Sequence, residues 1–74
     1  MLPLILYLEE KYKLTREQIA DVCCLELYEV KAYERGSGGL SLEAVVRLGW
    51  ELEIDPAVMV AYHCQWMRVN GLLK

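Results

Sequence analysis

Seventy-four residues suffice for one small domain, near the size at which a single core yields only a few kcal/mol of net stability. Hydrophobic residues make up 55% of the chain without one Phe. So small a globule cannot hide that much apolar surface, and homodimerisation is expected to cover part of it. The net charge of −3 is mildly unfavourable for nucleic acid, although the direction in which the cations point matters more than their sum.

The first apolar run, Leu4-Ile5-Leu6-Tyr7-Leu8, is too short to cross a bilayer, and no basic segment precedes it as a secretory leader requires. The expectation is a cytoplasmic protein without membrane contact. Pro3 suits the first turn of a helix running to about Lys13, with Leu4, Ile5, Leu8 and Tyr12 at helical spacing. Thr15 followed by Gln18 has the form of a capping box and opens a second helix that ends near Cys23. Leu25-Glu26 then forms a turn, and a third helix runs from Leu27 to Arg35, where Gly36 stops it.

Gly36-Ser37-Gly38-Gly39 reads as a flexible loop. Ser41, with Glu43 in the first turn, opens a fourth helix whose Leu42, Val45, Leu48 and Leu52 share one face. Asp55-Pro56 opens a fifth, as N-cap and first-turn proline, and Asn70-Gly71 ends it. No segment alternates as a strand does, so the fold class is all-α, a single domain over 1–74.

Between the second and third helices, Ala20 is small enough to be the crossing point, with Ile19, Cys23, Leu25, Val30 and Tyr33 facing inward. At about 100° per residue, Tyr28, Lys31, Ala32 and Arg35 then lie opposite Val30, with Leu27 and Glu29 at the margins. Trp50 falls away from the core stripe of the fourth helix and predicts an interface. The fifth helix carries Val58, Met59, Tyr62, Trp66 and Val69 on one face and Val60, Cys64 and Met67 on another. That surplus makes Met59, Tyr62, Trp66 and Met67, with Trp50, the candidate oligomer contacts.

Cys23, Cys24 and Cys64 are odd in number and lack metal or dithiol spacing, so buried reduced thiols are expected. His63 has no ligand partner one turn away. No nucleophile–base set, carboxylate pair or phosphate-binding loop is present, and neither enzymatic activity, a cofactor, a metal nor a small-molecule substrate is expected.

Three strings taken at their joint spacing, Leu14-Thr15-x-Glu17-x-Ile19-Ala20, Tyr33-Glu34-Arg35-Gly36 and Ser41-Leu42-Glu43, resemble the Cro/repressor-type (XRE-like) helix-turn-helix family over residues 14–60. The resemblance implies a compact five-helix, lambda-repressor-like domain that binds operator DNA as a homodimer, and it implies a repressor or other transcription regulator of the phage or plasmid kind. Positions matching Leu27, Tyr28, Lys31 and Ala32 reach base edges in that family, and those matching Arg16, Arg35 and Ser41 meet the DNA backbone.

Four departures weaken that expectation. The loop Ser37-Gly38-Gly39-Leu40 lacks the usual cation and proline; Glu9 stands where relatives often place an arginine paired with the match to Glu34; Cys24 replaces a turn glycine; and Glu26 and Glu29 bracket the third helix's N-terminus. Two carboxylates brought together at positions 9 and 34 would repel, or one would take up a proton, unless Lys13, Arg35 or another cation intervenes, and a substitute cation near Glu34 is expected. The alternative reading is a helix-turn-helix-derived protein–protein interaction module that uses the third helix or Trp50.

Overall fold

Five helices follow one another in the computed structural model, which describes residues 1–36 and 40–72: α1 Leu4–Tyr12, α2 Arg16–Cys23, α3 Leu27–Glu34, α4 Leu42–Leu52 and α5 Pro56–Val69. No strand occurs among the described residues. The Ser37-Gly38-Gly39 segment read as a loop lies outside them.

The starts of α2, α4 and α5 are set by side-chain caps, whereas α1 begins after Pro3 without one. Thr15 Oγ1 accepts from the Gln18 amide at 3.1 Å while Gln18 Oε1 accepts from the Thr15 amide at 2.8 Å, the reciprocal pair expected of a capping box. Ser41 and Asp55 cap α4 and α5 by accepting from Ala44 and Ala57. Three helix ends use a non-glycine residue in the left-handed region: Lys13, Cys24 and Glu53, with φ of 57°, 57° and 56°. Cys24 therefore adopts the positive φ that a glycine would take without strain.

α2 packs on α3 and α4, α4 on α5, and α1 on α3 and α5. Ile5, Leu8, Ile19, Val30 and Leu48 are fully buried where these layers meet. Ala20, on α2, is buried. The radius of gyration of 11.4 Å is what a compact chain of this length has, about 11 Å.

Gly49 permits the close approach of α4 to the start of α5, since a Cβ there would sit 2.7 Å from the Ile54 carbonyl oxygen and 2.9 Å from Pro56. Gly36, with φ of 81°, ends α3, and a Cβ on it would meet the Trp66 ring at 2.8 Å.

That contact belongs to a correction. Trp66 is only 7% exposed and Met59 2%, so both belong to the core and neither offers an interface. Trp66 is drawn inward because Gly36 leaves room for its ring, against which His63 also stacks at 5.8 Å. Val58 and Val69, grouped with them by spacing, are exposed. Tyr62 is half-buried too, stacked on Tyr7 at 4.5 Å with its hydroxyl donating to the Leu2 carbonyl at 2.7 Å. Of the second apolar face, Met67 is half-buried and Val60 and Cys64 are exposed, so that side of α5 stays open.

Two further expectations fail. Leu42 is 71% exposed, because it precedes the stretch of α4 that α2 and α5 cover, and Ala44 and Gly49 join Val45 and Leu48 on the buried face instead. Of the three cysteines only Cys23 is buried; Cys24 projects outward from its left-handed cap and Cys64 from the uncovered side of α5. Burial pushes the Cys23 thiol up to about 11 and keeps it protonated. No helix among the described residues is long and apolar enough to cross a membrane.

Candidate nucleic-acid interface

α3 is short, and its two sides differ sharply. Val30 is fully buried and Tyr33 half-buried, while Tyr28, Lys31 and Arg35 are exposed one turn apart along the opposite side. Tyr28 leaves 72% of its surface free, and Leu27 flanks it, also exposed. Ala32 is half-buried at the margin of the stripe. From Tyr28 to Arg35 this edge spans about 10 Å at 1.5 Å per residue. Lys31 and Arg35 form no ion pair with any described residue, so both cations face outward unneutralised.

Two other residues assigned to a DNA backbone are engaged elsewhere. Ser41 Oγ holds the first turn of α4 by accepting from the Ala44 amide at 3.2 Å. Arg16 reaches across from α2 to α3, where its Nε–H donates to both carboxylate oxygens of Glu34 at 2.7 and 2.9 Å. The arginine side chain is half exposed, whereas that of Glu34 is 8% exposed. Arg16 is thus the substitute cation that two carboxylates in helices α1 and α3 demand, and Lys13 and Arg35 are not.

Nothing in the spacing singles out Arg16 for this. It stands 18 residues from Glu34, and only the crossing of α2 over α3 brings the two together.

Glu9 completes the cluster from α1. Its Oε1 is buried and meets no hydrogen-bond donor among the described residues. With Glu9 and Glu34 both ionised, neither could donate to the other; a proton on Glu9 turns their contact into a hydrogen bond. Burial first, then the hydrogen bond to Glu34 and its charge, raise the Glu9 carboxyl from 4.5 to about 7, with Glu17 adding repulsion and Arg16 offsetting part of it. Side chains from α1, α2 and α3 therefore cluster here: Arg16 is paired with Glu34, and a protonatable Glu9 carboxyl lies beside them.

The acidic residues at the start of α3 serve the helix. Glu29 folds back so that its Oε1 accepts from the Glu26 amide at 3.0 Å. Negative charge there complements the positive end of the helix dipole and lowers the local attraction for phosphate. On α4, Arg47 is paired with Glu43 at 2.8 Å, and Trp50 stands 77% exposed. No group of His, Cys, Asp and Glu among the described residues is arranged to hold a metal. No protein-family model matches the chain, nor does any curated protein or solved structure.

Proposed function

We propose that the chain is a small DNA-binding transcription regulator of the XRE-like helix-turn-helix type, in which α2 and α3 are the helix-turn-helix pair and α3 enters the major groove of operator DNA as part of a homodimer. What carries the reading is the exposed edge Tyr28–Lys31–Arg35, set opposite buried Val30 on a helix that α2 holds from behind. A lysine and an arginine free of ion pairs among the described residues can meet guanine edges or phosphate, and Tyr28 can lie against a thymine methyl or donate to phosphate.

The test is a mobility-shift and anisotropy titration against duplex DNA that includes the region upstream of the chain's own coding sequence. Two such cations from each of two protomers give a slope of log affinity against log salt near −3.6, at about 0.9 per neutralised phosphate. Lys31→Glu is expected to abolish the shift with the melting temperature unchanged. A folded Lys31→Glu variant that still binds DNA would overturn the reading.

A second reading has its own observation. Arg16 is tied to Glu34, Ser41 to its helix cap, and Leu27 and Tyr28 expose apolar surface beside the Glu26 charge. That is the anatomy of a protein contact, and it supports a helix-turn-helix-derived interaction module that inhibits or joins another regulator. Here Tyr28→Ala is more damaging than Lys31→Glu, and binding is insensitive to salt.

A further inference from the structure

The outer side of α4 carries an unpartnered stripe. Leu42, Val46 and Trp50 recur every fourth residue; Leu42 and Trp50 are the most exposed apolar side chains of the helix and Val46, half-buried, forms the floor between them. Exposed Val60 of α5 borders the same side, lining with Leu42 and Val45 an apolar groove of about 190 Å³ between the two helices.

We infer that this stripe is the homodimer contact, formed by two copies of α4 packed antiparallel about a twofold axis at Val46. Under that symmetry residue i meets residue j and j meets i. Leu42 of one protomer then covers the Trp50 ring of the other, twice, and the two Val46 side chains meet on the axis. The flanking charges fit the same operation. Glu43 and Arg47, paired with each other at 2.8 Å within one protomer, lie on one side of the stripe, and the antiparallel copy runs their order backwards. Each glutamate is thereby set about two residues, or roughly 3 Å along the axis, from the partner's arginine.

The exposed part of the Trp50 ring alone offers on the order of 150–200 Å². With Leu42, Val46 and Val60 the face reaches on the order of 400–500 Å² per protomer, close to the ~500 Å² per partner at which specific contacts begin. A readily reversible dimer is expected. The inference rests on the dimeric part of the proposed function and not on DNA, so it is tested without DNA and stands or falls separately.

Sedimentation equilibrium of the full chain from micromolar to several hundred micromolar is expected to approach twice 8.6 kDa, and Trp50→Ala and Val46→Lys to remain at 8.6 kDa with the helical signal and melting curve retained. Glu43→Arg alone is expected to weaken the dimer, and Glu43→Arg with Arg47→Glu to restore it. In a Cys24→Ser, Cys64→Ser background, Val46→Cys should cross-link under copper–phenanthroline and oxygen. Leu42→Cys should not, its two copies lying about 12 Å apart along the axis. A wild-type mass of one chain throughout, or a dimer that cross-links at Leu42→Cys and not at Val46→Cys, overturns the inference.

Discussion

Replacing Glu9 by Gln isolates a half-buried carboxyl whose charge changes near neutral pH. The substitution keeps the shape of the side chain, removes its charge, and supplies an amide N–H that can donate to Glu34 at every pH. In the native protein the Glu9 carboxyl is raised from 4.5 to about 7, foremost by burial and then by Glu34. Between those values the folded chain holds a proton that the unfolded chain has released, so stability falls as pH rises through that window and levels off above it.

At about 1.4 kcal/mol per pH unit the full displacement would amount to about 3 kcal/mol. Glu9 keeps some contact with solvent, and screening reduces the expectation to about 1–2 kcal/mol. Glu9→Gln should therefore match the wild type near pH 5 and exceed it by about 1–2 kcal/mol at pH 8, raising the melting temperature there by roughly 5–15 °C for a domain of this size. Calorimetry or urea titration followed by circular dichroism, run at both pH values, measures the difference directly. Subtracting the two proteins cancels the other titrating groups. A gain of equal size at pH 5 and pH 8, or a loss at pH 8, would refute the protonated carboxyl pair.

Other consequences follow from single contacts. Cys24→Gly relieves a left-handed cap and should stabilise the fold by up to about 1 kcal/mol, less than the strain itself because glycine also loosens the unfolded chain; chemical denaturation checks it, and a loss of stability would contradict the cap geometry. Gly49→Ala drives a methyl group against the Ile54 carbonyl and Pro56 and is expected to cost about 1–3 kcal/mol, read as a lowered denaturation midpoint. Arg16→Met strips the nearly buried Glu34 of its cation and should cost about 1–2 kcal/mol at neutral pH, with Glu34→Gln recovering much of it in the double variant, a coupling that a double-mutant cycle measures.

Helix positions were legible wherever a start or stop has a local chemical cause. Thr15, Gln18, Ser41, Asp55, Pro56 and Gly36 each act within four residues of themselves, and each performs the expected role. The side of α3 that faces outward was equally readable, because Val30 needs burial and the helical period then fixes Tyr28, Lys31 and Arg35. Periodicity alone fails where two faces of a helix are both apolar. On α5 it could not say that Met59 and Trp66 turn inward while Val58 and Val69 turn outward, since the choice depends on the space Gly36 leaves and on Tyr7 meeting Tyr62. Likewise the need for a cation at Glu34 follows from the charge count, but its identity as Arg16 depends on how α2 crosses α3.

That crossing also bears on how the exposed edge could recruit phosphate. For Arg16 to turn toward a DNA backbone, as the family resemblance implies, its Nε–H must leave a carboxylate that is 8% exposed and has Glu9 beside it. A bare pair of carboxyls behind α3 is tolerable only with a proton on Glu9, so an Arg16 phosphate contact would be coupled to proton uptake. Lys31 and Arg35 carry no such linkage. DNA affinity that depends on α3 alone should therefore vary with salt and be flat from pH 6 to pH 8, whereas affinity that recruits Arg16 should weaken across that interval and lose the dependence in Glu9→Gln. The pH profile of binding thus separates a two-cation edge from a three-cation one without disturbing either.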